Sequence, residues 1–143
     1  MGVWEECEVT ICYFTATGNC LYVAERIGGT LLSISQLMKQ NKIEIRDDAV
    51  GTVCPTYVGE MPKMMRAFME KASIHTDYLF FVATYGMDET WCQMMIDSFR
   101  NYIACFDESN KEGGYVFGFE CGAPGDVKER DAMQKACEMG KSL

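Results

Sequence analysis

The stretch Val9–Ile27, VTICYFTATGNCLYVAERI, decides how the rest of the chain is read. Val9 to Phe14 is a short run of apolar, β-branched and aromatic residues, which predicts a buried strand. Leu21, Val23, Ala24 and Ile27 recur at helical spacing, which predicts a helix closed by Gly28-Gly29. Between them lies the hydroxyl-rich turn Thr15-Ala16-Thr17-Gly18-Asn19-Cys20. A strand that ends on small polar residues and enters a helix at once leaves the first helical N–H groups without acceptors. Those donors and the positive end of the helix dipole make an anion site.

The residues of the turn narrow the anion. One glycine and no lysine set it apart from the GxGxxG of dinucleotide sites and from the GxxxxGKS phosphate loop. No basic side chain occurs from Tyr13 to Glu25. A phosphate bound here must therefore be held by neutral donors: the Thr15 and Thr17 hydroxyls, the Asn19 amide and successive backbone N–H groups. The same residues also suit a threonine-capped turn with no ligand.

The remaining elements alternate. Thr30–Ser35 is expected as a short second strand, Gln36–Gln40 as a helical turn, and Ile43 and Ile45 alternate like an edge strand. Ala49–Pro55, AVGTVCP, reads as a buried strand, followed by a helix over Pro62–Ala72 with Met65, Phe68, Met69 and Ala72 inward. His75 falls in a polar connection. Tyr78–Tyr85, YLFFVATY, is the most apolar strand and is placed centrally. A helix from about Glu89 to Phe106 follows, then a solvated loop over Asp107–Gly114 and a last strand over Tyr115–Glu120. Pro124-Gly125-Asp126 starts a terminal helix with Ala132, Met133 and Ala136 inward. Strands alternating with helices predict one α/β domain over 1–143: a doubly wound, five-stranded parallel sheet in the order 2-1-3-4-5, with helices on both faces.

Composition removes other classes. The 143 residues suffice for one core, and 48% hydrophobic with 24% charged residues is ordinary for a soluble globular protein. No apolar run reaches the roughly 18 residues of a membrane span. Glu5, Glu6 and Glu8 are unlike the basic start of a signal peptide, so a cytoplasmic location is expected. A net charge of −8 disfavours nucleic acid and anionic membranes and suits partners with basic or mixed docking surfaces. The eight cysteines contain no C-x-x-C pair, so no metal site is expected, and Cys12 and Cys54 read as buried, reduced thiols.

In the order 2-1-3-4-5, the ends of strands one, three and four lie side by side and carry TATGNC, PTYVGEMP and ATYGMDET. Tyr57 with Gly59, and Tyr85 with Gly86, pair an aromatic ring for a flat heterocycle with backbone that lets its polar edge come close. TATGNC resembles the T/S-x-T-G-x-T/S fingerprint of flavodoxins, with Cys20 in place of the usual final Thr or Ser. P-x-Y-x-G-x-x-P, Pro55 to Pro62, resembles the second flavin loop of the flavodoxin-like family, especially of domains fused to a ferredoxin module. The similarity covers essentially the whole chain.

The resemblance implies FMN at the switch point between the first and third strands, a placement known from flavodoxin and carried over with it. It implies a cofactor site of Thr15, Ala16, Thr17, Gly18, Asn19, Cys20, Pro55, Thr56, Tyr57, Val58, Gly59, Thr84, Tyr85, Gly86, Met87 and Asp88. In the third loop, where many flavodoxins stack a tyrosine, Met87-Asp88 leaves Tyr85, Met87 or Trp91 for that part. With no ferredoxin motif here, the electron partner is expected to be a separate protein. The implied function is FMN-dependent electron transfer between redox proteins, with no catalytic residues of the chain's own. The alternatives are an FMN-dependent reductase of quinones, nitro compounds or free flavin, and a flavin-free interaction module.

Overall fold

A computed structural model describes residues 8–15, 18–56, 62–84, 92–103, 111–118, 121, 123, 125–129 and 131–142. In chain order the elements are β1 (Val9–Tyr13), α1 (Asn19–Ile27), β2 (Thr30–Ser33), α2 (Ile34–Leu37), β3 (Glu44–Arg46), β4 (Ala49–Pro55) and α3 (Lys63–Lys71). Then come β5 (Ser73–His75), β6 (Tyr78–Thr84), α4 (Cys92–Ile103), β7 (Lys111–Gly118), a 3-10 turn (Asp126–Glu129) and α5 (Ala132–Ser142).

Five strands form a parallel sheet in the order β2-β1-β4-β6-β7. β3 and β5 stand apart as a two-stranded parallel sheet. The expected strand list is corrected on this point. Ile43 and Ile45 alternate as in a strand and are buried, but their segment pairs with Ser73–His75 and not with the edge of the main sheet. His75 is accordingly a strand residue, whose carbonyl accepts from the Asp47 N–H at 3.2 Å.

Strand side chains alternate between two cores. Val50, Cys54 and Phe81 join Ile34, Leu37, Met65, Phe68, Met95 and Phe99 from α2, α3 and α4. Ala49, Val53, Phe80 and Val82 join Val23, Ala24, Ile27, Val127 and Ala136 from α1, the 3-10 turn and α5. Period-two alternation puts these clusters on opposite faces of the sheet. On the first face the Phe81 and Phe99 rings stack at 4.8 Å between centroids. On the second, Phe80 lies over Gly51, where an added Cβ would sit 2.0 Å from the ring.

Three boundaries move. Lys111–Gly114, expected as loop, belongs to β7, because β6 pairs with it from Tyr78↔Lys111 through an irregularity between Leu79 and Phe80. The second strand stops at Ser33, and Ile34 opens α2 with its side chain fully buried. The terminal helix is split into the 3-10 turn and α5. Among the described residues, no helix is long and apolar enough to cross a membrane.

Candidate functional site

β1, β4 and β6 are consecutive in the sheet, so their carboxyl ends lie side by side. The chain leaves β1 for β2 on one side and returns to β4 on the other. In open α/β sheets, ligands bind at the carboxyl ends of the strands beside such a reversal.

The strand-to-helix turn sits above β1. After Tyr13 the ladder gains one more bond, Phe14 N–H to the Val53 carbonyl at 2.8 Å. The chain then turns at Gly18, the N-cap of α1, with φ +90°. Glycine enters this left-handed region without the steric cost of a Cβ. The Gly18 N–H donates to Thr15 Oγ1 at 3.0 Å, which leaves the Thr15 hydroxyl proton to serve another acceptor. α1 begins at Asn19, so Cys20 and Leu21 have no acceptor four residues back within the helix. These groups fit a phosphate chemically: backbone and hydroxyl donors on a helix N-terminus, with no acidic residue in the first turn.

One of the expected contacts, the Asn19 amide, is corrected. The Asn19 side chain is 1% exposed and points into the protein. Its Nδ2 donates to the carbonyls of Cys121 and Ala123 at 3.2 and 3.0 Å, and its Oδ1 accepts from the N–H groups of Gly125 and Val127 at 3.0 and 3.3 Å. Two donors and one oxygen with two lone pairs are then fully used, so the amide is not a phosphate donor. Asn19 remains in the site as a backbone position. The Cys20 thiol is also turned in, 1% exposed, with Sγ 3.3 Å from Thr84 Oγ1. Burial pushes this thiol up to about 12, so it is held neutral below a hydroxyl-lined strand end.

The second and third connections start from a linked pair. Pro55 and Thr84 are register partners at the ends of β4 and β6. The Thr84 carbonyl accepts from Thr56 twice, from N–H at 2.9 Å and from Oγ1 at 3.3 Å. Cys20, Thr84 and Thr56 thus form a chain of contacts joining the bases of all three connections. Ala16, Thr17, Tyr57, Val58, Gly59, Tyr85, Gly86, Met87 and Asp88 lie outside the described residues, as does Trp91.

The sequence reading missed the connection after β7. Cys121, Ala123, Gly125 and Val127 meet the first turn of α1 through Asn19. Its only local signal is the turn chemistry of Pro124-Gly125-Asp126, which by itself predicts no more than a helix start.

The sheet order defines an α/β protein built on a five-stranded parallel sheet. No protein-family model matches the chain, and no curated protein matches it. Solved structures do. NAD(P)H:quinone oxidoreductase from Methanothermobacter marburgensis aligns with a TM-score of 0.65 at 12% identity, over 96% of this chain and 98% of that one. The Trp repressor binding protein from Bacillus subtilis gives 0.64 at 14% identity, over 92% and 97%. A flavodoxin from Streptococcus pneumoniae TIGR4 gives 0.57 at 19% identity, over 94% and 99%. The chain has a flavodoxin-like fold.

Proposed function

We propose that this chain binds FMN across the carboxyl ends of β1, β4 and β6 and carries electrons between redox proteins. The observation that carries the reading is the Gly18-capped turn beside the strand-order reversal, with the Thr15 hydroxyl fixed by the Gly18 N–H. The first-turn N–H groups of α1, with the hydroxyls of Thr15 and Thr17, would hold the phosphate. Thr56 and Thr84 anchor the starts of the two connections whose sequences include Tyr57 and Tyr85, the rings that would cover the flavin. FMN, when bound, supplies one- and two-electron transfer, and the chain's part is to hold it and to tune it.

Neutral donors suit a site on a chain of net charge −8, where the acidic surface would select partners with a basic or mixed face in the cytoplasm. The visible spectrum of the purified protein, followed by chromatography of the released cofactor, tests the reading. An FMN peak supports it. A colourless protein that ignores added FMN would overturn it and leave an interaction module on the same fold.

One observation favours a second reading. Structures described as NAD(P)H:quinone and NADH:FMN oxidoreductases share this fold at TM-scores of 0.65 and 0.61. An FMN-dependent reductase would be reduced by NADH or NADPH alone in a stopped-flow experiment. An electron carrier would wait for a protein donor.

A further inference from the structure

Among the described residues, Asn19 is the most heavily engaged buried polar side chain at the strand ends. Four backbone groups among its side-chain partners lie 102 to 108 residues further along the chain. The segment it holds is shaped for the contact. Gly125 stands at φ +86°, the Ala123 N–H is tied to Asp126 Oδ2 at 2.8 Å, and Val127 is fully buried against the α1 face of the sheet. The donor and acceptor pattern fixes the amide's orientation, since two carbonyls face the nitrogen and two N–H groups face the oxygen.

On the α1 side, Asn19 directly follows Gly18, the left-handed residue that sets the direction of the first-turn N–H groups. A side chain locked by four bonds limits how this residue can rotate, and so fixes where those donors point. We propose that Asn19 is a positioning residue. It joins the connection after β7 to the phosphate turn, so that ordering one orders the other. The inference rests on the FMN reading. Coupling of this kind is reciprocal: if the docked connection strengthens phosphate binding, phosphate binding tightens the connection by the same factor.

Three measurements on the full chain decide it. In the wild-type protein, FMN should slow amide exchange at Gly125 and Val127, and riboflavin, which lacks the phosphate, should not. Asn19→Ala should lower FMN affinity about tenfold or more, within the 5- to 150-fold range of coupled sites, and change riboflavin affinity little. Gly125→Ala acts from the other side of the clamp. An added Cβ there meets nothing within 4 Å, so only the left-handed backbone is penalised. It too should reduce the preference for FMN over riboflavin, and the double variant should be no worse than Asn19→Ala alone.

Flavin binding with an unchanged preference in Gly125→Ala, fully additive effects, or no FMN-dependent protection at Gly125 and Val127 would each overturn the proposal while leaving the FMN reading intact. If Asn19→Ala does not fold, Gly125→Ala and the wild-type exchange data decide alone. A wild-type chain that binds neither flavin overturns the FMN reading first, and this inference with it.

Discussion

Cys20 Sγ and Thr84 Oγ1 lie 3.3 Å apart, holding the first turn of α1 against the end of β6, an interior strand of the sheet. Both residues are buried, and the thiol is the only hydrogen-bonding partner seen for this hydroxyl among the described residues. The relationship explains how a cysteine stands where the flavodoxin fingerprint has Thr or Ser. The position faces the core, where a small group able to meet a hydroxyl is what the packing requires.

A first prediction follows from that contact. Cys20→Val removes the partner and leaves Thr84 Oγ1 buried and unsatisfied, at a cost of about 1–3 kcal/mol. Cys20→Thr replaces a weak sulfur contact with a hydroxyl pair and should be neutral within about 1 kcal/mol, with FMN affinity unchanged or raised. Urea midpoints of the two variants measure the difference. Equal loss of stability in both would mean that volume, and not the polar contact, governs the position.

Gly18 gives the second. An alanine Cβ would sit 3.8 Å from Tyr22 Cε2, an ordinary contact, so the substitution costs only backbone strain. For a non-glycine residue in the left-handed region that strain is roughly 1–2 kcal/mol. Relieving it means moving the turn, so Gly18→Ala should weaken FMN more than riboflavin. Titration calorimetry with both ligands checks this, and a parallel loss would separate the turn from the phosphate.

How much of this was legible beforehand depends on the range of the interaction. β1, β4 and β6 are buried in a parallel sheet, so VTICY, AVGTVCP and YLFFVAT show as apolar runs. Lys111–Gly114 shows no such run, because its strand state comes from backbone pairing with β6. β3 and β5 are three residues each and exist only as each other's partner. The site divides the same way. Gly18 as a turn residue and Thr15 as a hydroxyl beside it are local facts. The inward turn of Asn19 is not, since its partners come from the far end of the chain.

The third prediction concerns packing under the site. At Gly51 a Cβ would lie 2.0 Å from Phe80 Cε2, and Phe80 is fully buried against α1 and α5. The ring has to move into an occupied core, so Gly51→Ala should destabilise the fold by about 1–3 kcal/mol or more, in the manner of overpacked interiors. Phe80→Leu in the same chain should recover part of that loss. A double variant less stable than the sum of the singles would show that the ring and the glycine are not in conflict.

The last prediction is the alkaline limit of stability. Burial pushes Cys12 up to about 12 from its ordinary value of 9.0 and raises Cys54 well above it, because neither thiolate can be solvated inside the sheet. Below pH 9 these thiols are protonated in both folded and unfolded chains, and pH leaves their contribution intact. Between about pH 9 and 12 the unfolded chain releases the protons and the folded chain keeps them. The unfolded state then binds fewer protons, so stability falls as pH rises. For one such thiol the loss at pH 10 is about 1.4 kcal/mol. Tyrosines and lysines also titrate in this range, so the measurement is a difference. Urea unfolding of the wild type and of Cys12→Val at pH 8 and pH 10 should show a smaller alkaline loss in the variant, by about that amount. Equal losses in the two proteins would mean that the Cys12 thiol ionises alike in the folded and unfolded chains.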